Sequence, residues 1–276
     1  MMIEEPQLTY LLELLDALGE NADHFILVGA RAMNFNVKEG RRTKDFDFVL
    51  QVQILRNSNV DISPVLKSLG YNVVETAKYF QFDKKIPGSN ESIRIEFLAP
   101  GDEKDGDNFR VKIQPEFHAH ACTGAEIVYN ESSRIEIEGV LPNGNPLRKY
   151  IRVAQIWAIL MLKTIALDDR YKNIRGVGHV DYDRDEARIF SSDVILIIHD
   201  HIQNANFTDK FWRQLNNKTS LKDRIVEILN TYYGDIAAPG IQLYREFIRM
   251  QKGENLDEDE ERRTVREVEY LLACSN

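Results

Sequence analysis

Leucines set the first pattern. Leu8, Leu11, Leu12, Leu15 and Leu18 recur at helical spacing between Gln7 and Leu18, and Gly19 follows as a stop. The run HFILV, His24 to Val28, is short and uniformly apolar, which predicts a buried strand. Gly29 interrupts it, and a second helix is expected from Ala30 to Val37. After a basic loop, DFDFVLQV (Asp45 to Val52) alternates polar and apolar in its first half, as a half-buried strand does. A helix is predicted over Ser63 to Leu69, with Pro64 at its first position and Ser63 or Asp61 as cap. Two or three strands follow in YNVVE, KYFQF and IRIEFL (Ile93 to Leu98), the last set off by the turn at Pro87-Gly88.

The charged stretch Gly101 to Asp107 carries two glycines and reads as a surface loop. From Val111 to Val140 the signals are short and β-like, and the turn LPNGNP (Leu141 to Pro146) joins two extended runs. Beyond Val153 the period lengthens. Helices are expected in Ala154 to Leu167, Asp185 to His199, Leu221 to Tyr232, Leu243 to Met250 and Glu261 to Leu272. The acidic run Glu254 to Glu261 reads as a solvated helix start, where carboxylates meet the positive dipole end. The pattern therefore predicts an α/β (α+β) portion over residues 1–150, with a mixed sheet and flanking helices. A helical domain over residues 151–276 follows it.

Composition narrows the class. With 276 residues, 43% hydrophobic, the chain has apolar material for one large or two modest cores. Its longest apolar stretch, Ile156 to Leu162, falls far short of the roughly 18 residues of a membrane span. The start MMIEEPQ lacks the basic and apolar regions of a signal peptide. Cys122 and Cys274 stand far apart with no CxxC pair, so a reduced, cytoplasmic protein is expected. The net charge of −9 argues against a broad electrostatic coat for nucleic acid. One segment is locally basic, KEGRRTK from Lys38 to Lys44.

The chemistry concentrates in LVGARAMNFNVKEGRRTKDFDFVL, Leu27 to Leu50. Alternate residues of a strand share a face with α-carbons about 6.5–7 Å apart, so Asp45 and Asp47 can converge on one cation while Phe46 and Phe48 bury their rings opposite. Magnesium takes hard oxygen ligands, commonly one or two carboxylates together with substrate phosphates. Gly29 permits close backbone approach to a phosphate, and the helix after it offers N–H groups. No Walker sequence is present. Two other clusters are weaker. HAHAC places His118, His120 and Cys122 on one strand face, but three zinc ligands have no fourth. DYDRDE (Asp181 to Glu186) begins like a calcium loop, yet has Glu186 where glycine belongs and Ser192 where glutamate belongs.

The Leu27 to Leu50 block resembles the nucleotidyltransferase superfamily, whose signature is Gly-Gly or Gly-Ser at a strand–helix junction followed by Asp-x-Asp. With Arg41 to Lys44 before the carboxylates, it looks closest to the AbiEii-toxin-like branch. That resemblance implies a third carboxylate from a later strand, supplied here by Glu96 of IRIEFLAP, and one or two Mg2+ ions held by Asp45, Asp47 and Glu96. It implies nucleotide contact by Gly29, Ala30 and Arg31, and by Lys163 and Arg170 of MLKTIALDDR. The reaction implied is transfer of a nucleoside monophosphate from an NTP to an acceptor hydroxyl on tRNA, protein or a small molecule, with a cognate antitoxin as partner if the chain is a toxin. The sequence departs from the signature after Gly29, where Ala30 and Arg31 replace Gly or Ser. The alternative reading is a catalytically degenerate module that binds nucleotide or a partner protein.

Overall fold

The computed structural model describes residues 3, 5–38, 40–77, 79–101, 110–174 and 180–275. The expected loop at Gly101 to Asp107 lies, from residue 102 onward, outside them. The fold is a mixed α/β arrangement in two compact units. One comprises Met1–Asn36 and Arg41–Gln155, the other Val37–Gly40 and Ile156–Asn276.

The first unit is built on a mixed sheet. Its strands are β1 (Phe25–Val28), β2 (Asp45–Leu50), β3 (Asn72–Val73), β4 (Gln81–Lys85), β5 (Ser92–Pro100), β6 (Arg110–Gln114), β7 (Phe117–Cys122), β8 (Ser132–Val140) and β9 (Pro146–Ala154). The order is β3-β4-β5-β2-β1-β9-β8, and β7 lies parallel to the end of β5, carrying β6 beside it. The β2–β5 and β1–β9 pairs are also parallel, while β1–β2, β4–β5 and β8–β9 are antiparallel. Alternation decides the faces. Along β5 the odd residues Ile93, Ile95, Phe97 and Ala99 are fully buried, and the even ones are partly open. Phe97 meets the rings of Phe25, Phe48, Phe82 and Phe117 at centroid distances of 4.9–6.4 Å, and this cluster anchors the apolar face. Helix α1 (Gln7–Leu18) packs its leucines on β8 and β9.

Local chemistry shifts several boundaries. The helix after Gly29, α2, spans only Gly29–Met33, short of Val37. The side-chain amides of Asn34 and Asn36 donate to the carbonyls of Arg41 and Ala32, and such local bonds compete with helix continuation. The strand expected to reach Val52 stops at Leu50, and Val52–Arg56 forms a one-turn helix, α3, burying Val52 and Leu55 three apart. Helix α4 is Ile62–Ser68, so Pro64 is its third residue and Asp61 its cap position, without a side-chain capping bond. Pro64 is still in the first turn, whose N–H groups have no intrahelical acceptor, so it costs nothing there. The KYFQF strand is displaced to Gln81–Lys85, because Tyr79 adopts a positive φ.

The second unit is helical: α5 (Ile156–Ile174), α6 (Val180–His201), α7 (Ala205–Asn216), α8 (Thr219–Tyr233), α9 (Pro239–Lys252) and α10 (Glu258–Ala273). Helix α7 is an addition to the expected set; it buries Phe207, Phe211, Trp212 and Leu215, and Asn204 caps it by accepting from the Asn206 N–H. Charges enter this core in pairs. Asp168 takes Lys172 and Arg224, Asp183 takes Arg170, Asp193 takes Lys163 and Glu261 takes Arg245. Among the described residues no helix is long and apolar enough to cross a membrane.

Candidate metal and nucleotide site

Register gathers the site. Strand pairing sets Asp47 opposite Val28 on one side and Glu96 on the other, and sets Glu96 opposite Gln81. One rung therefore reads Val28–Asp47–Glu96–Gln81 across β1, β2, β5 and β4. The next rung on the same face reads Asp45–Arg94–Asp83. Neighbouring strands lie about 4.8 Å apart, so paired residues on these rungs present their side chains side by side on the open face. Phe46 and Phe48 are fully buried on the other face, as the Asp-x-Asp alternation demands. Asp45, Asp47 and Glu96 thus share one sheet face.

Gly29 closes the approach to Asp47. Its φ is +67°, a region disfavoured for residues with a side chain. A β-carbon placed there would lie 2.0 Å from Asp47 Oδ2 and 2.9 Å from its carboxyl carbon. The carboxylate lies over the glycine, in space that any other residue would fill.

Around these groups stand partners that the sequence does not link to them. Gln81 Nε2 donates to Glu96 Oε2 at 2.8 Å, and His120 Nδ1 stands 3.6 Å from Glu96 Oε1. Arg94 forks onto Asp83 at 2.9 and 3.2 Å. Asp45 is exposed at the start of β2, yet desolvation by the atoms around it raises its carboxyl pKa from the ordinary value; Arg94 and Arg41 pull it down, while Glu96 and Asp83 push it up. The alternation in HAHAC places His120 on a strand face with His118 and Cys122, but nothing in sequence spacing joins it to Glu96. Gln81 carried no signal at all, because its role comes only from the β4–β5 register.

The other residues expected to touch nucleotide have partners of their own. Ala30 is buried. Arg31 is also buried; its guanidinium donates to the Thr43 carbonyl and lies 5.4 Å from the centroid of Phe46, a ring on the face opposite Asp45 and Asp47. In the basic segment, Lys44 pairs with Glu91 at 2.6 Å. In the helical unit, Lys163 is bonded to Asp193 at 2.8 Å with both side chains under 10% exposed, and its Nζ lies over the Phe190 ring at 4.6 Å. Arg170 binds Asp183 at 3.0 Å and lies over Tyr182. The DYDRDE segment lies within α6, with Asp183 turned to Arg170, so it is no calcium loop. His118, His120 and Cys122 do lie on one half-open face of β7. Among the described residues no three His, Cys, Asp or Glu side chains stand in a ready-made cage for a metal.

No family model matches the chain, and no curated protein matches it. Among solved structures the chain is similar to the crystal structure of JHP933 from Helicobacter pylori, at 14% identity, over 99% of this chain and 92% of that one, with a TM-score of 0.37. A likeness that faint carries no argument about fold or function.

Proposed function

We propose that the chain is a magnesium-dependent nucleotidyltransferase that moves a nucleoside monophosphate from an NTP to an acceptor hydroxyl. The observation that supports it best is the Gly29–Asp47 contact, in which a glycine at a strand–helix junction leaves space that the second carboxylate of Asp-x-Asp occupies. Asp45 shares the face and Glu96 shares the rung, and all three offer the hard oxygens that magnesium takes. The donors fit the ion. Among the described residues no three such side chains stand together as a group that could hold a metal, so in this reading substrate phosphates and water would have to complete the shell.

In this reading Asp45 and Asp47 would hold the ion and Glu96 would assist on the acceptor side. A metal held there would supply charge neutralisation for the triphosphate. The acceptor oxygen bonds to the α-phosphorus as the bond to the bridging oxygen of the β-phosphate breaks, so pyrophosphate leaves. The acceptor proton passes to the Glu96 carboxylate or to solvent. The acceptor belongs to one of three classes, tRNA, protein or small molecule, and a cognate antitoxin is the added partner if the chain is a toxin. In this reading the chain would work in the cytoplasm, where NTP is present.

A second reading, a nucleotide- or protein-binding module without catalysis, is favoured by one feature. Ala30 and Arg31 are both buried, so neither offers a side chain to a phosphate. Incubating the purified chain with Mg2+, α-labelled NTPs and pools of tRNA, protein and aminoglycoside separates the two. Label on an acceptor from the wild type but not from Asp47→Asn supports transfer. Triphosphate binding without transfer supports the binding module, and neither binding nor transfer ends both readings.

A further inference from the structure

We propose that Gln81 is a positioning residue for Glu96, holding the third carboxylate in the orientation from which it serves the cation; this rests on the metal reading above.

The argument starts from the two oxygens of Glu96. Its neighbour across β4 is Gln81, set directly opposite by the antiparallel register. The Gln81 amide donates to Oε2 at 2.8 Å, within the range of a good N–H···O bond to a charged acceptor. The other oxygen, Oε1, faces His120 Nδ1 at 3.6 Å, too long for a hydrogen bond but within ion-pair reach. His120 is itself steadied by the Phe80 ring, 5.2 Å away between centroids. A glutamate has three rotatable bonds, and an unrestrained one loses rotamer freedom on binding a cation. With its side chain 24% exposed and Oε2 tied, Glu96 has given up much of that freedom beforehand.

Outer-shell partners of this kind are worth about 10–100-fold in metal affinity in metalloproteins generally. Gln81 also has chemistry suited to the task. It is neutral, so it orients the carboxylate without neutralising it, whereas a lysine there would compete with the cation. Strand β4 is tied to β5 over five residue pairs, so the amide is delivered from a rigid element.

The experiment is Mn2+ binding to the whole chain, followed by calorimetry and by the loss of the free-ion electron paramagnetic resonance signal. Gln81→Met keeps the side-chain volume and removes the donor. It is expected to weaken Mn2+ binding about tenfold or more with an unchanged thermal midpoint. Because Gln81 acts through Glu96, the pair Gln81→Met with Glu96→Gln is expected to bind like Glu96→Gln alone, a non-additivity that a merely structural role would not give. Asp47→Asn separates the two layers. If Asp47→Asn abolishes Mn2+ binding and Gln81→Met binds like the wild type, the positioning role is overturned and the metal reading stands. If Asp47→Asn binds Mn2+ as the wild type does, the metal reading falls and the positioning role with it. Additive losses in the double variant also overturn the role, since Gln81 would then act independently of Glu96.

Discussion

The α-carbon of Gly29 and the carboxylate of Asp47 are so close that a methyl group on the first would overlap the second, 2.0 Å from Oδ2. Gly29→Ala therefore carries two penalties, the positive φ and the displacement of Asp47. Gly88 isolates the first, since its φ is +75° and nothing lies within 4 Å of an added β-carbon. Gly88→Ala is expected to cost about 1 kcal/mol in urea unfolding, and Gly29→Ala about 1–2 kcal/mol more, with loss of Mn2+ binding. Equal costs with intact Mn2+ binding would show that Asp47 yields freely and that the contact has no bearing on function.

Much of this pair is legible in the sequence. The alternation in DFDF told which aspartates share a face, because strand geometry leaves no other option. Gly29 was marked by its place at the end of an apolar run. The hairpin around Leu141 to Pro146 and the long helices after Val153 were also plain, since both periods run for many residues. The short elements were not. The two-residue strand β3 and the one-turn helix α3 have too few residues for a period to declare itself, and side-chain bonds from Asn34 and Asn36 cut α2 at Met33. Partnerships were the least readable. Gln81 and His120 reach Glu96 through strand pairing, and Lys163 reaches Asp193 through the packing of α5 on α6; local spacing encodes neither.

Asp45 should trade stability for function. Although Asp45 is exposed at the start of β2, desolvation by its surroundings is the largest influence on its carboxyl and raises its pKa above the unfolded value, against the pull of Arg94 and Arg41. A raised acid binds protons more readily in the fold than in the unfolded chain. Its ionisation therefore costs folding free energy at neutral pH, and that cost disappears as pH falls below the ordinary aspartate value of about 3.9. Asp45→Asn is expected to raise the thermal midpoint slightly at pH 7, to lose that advantage under acid conditions, and to abolish Mn2+ binding. A lowered midpoint at pH 7 would mean that the pull of Arg94 outweighs desolvation.

His199 gives the helical unit a pH dependence of the opposite kind. Burial lowers its pKa, although Glu267, 3.4 Å away, pulls it upward; Nε2 also lies 3.0 Å from Thr264 Oγ1. A depressed histidine stays neutral in the fold while the unfolded chain takes up a proton near pH 6.5, so stability is full above that value and declines as pH drops below it. Urea midpoints measured from pH 8 down to pH 5 should fall for the wild type and fall less for His199→Gln. Parallel curves would show that His199 titrates alike in the folded and unfolded chain, and a steeper fall for His199→Gln would show that Glu267 holds it protonated in the fold.

Lys163 is the residue on which resemblance and structure pull apart. The resemblance gives it to the triphosphate; the structure seals its ammonium against Asp193 at 2.8 Å and over the Phe190 ring, with the lysine side chain 7% exposed. A cation so enclosed is committed to its carboxylate, because removing one partner leaves the other charge desolvated. Lys163→Met is therefore expected to cost about 3 kcal/mol in urea unfolding, and adding Asp193→Leu should recover much of the loss by replacing the pair with apolar volume. Triphosphate affinity, measured where both variants are folded, should match the wild type. A variant that stays as stable as the wild type but binds NTP ten times more weakly would reverse the assignment. It would show that the lysine leaves Asp193 for a phosphate at little cost, and that α5 then belongs to the nucleotide site.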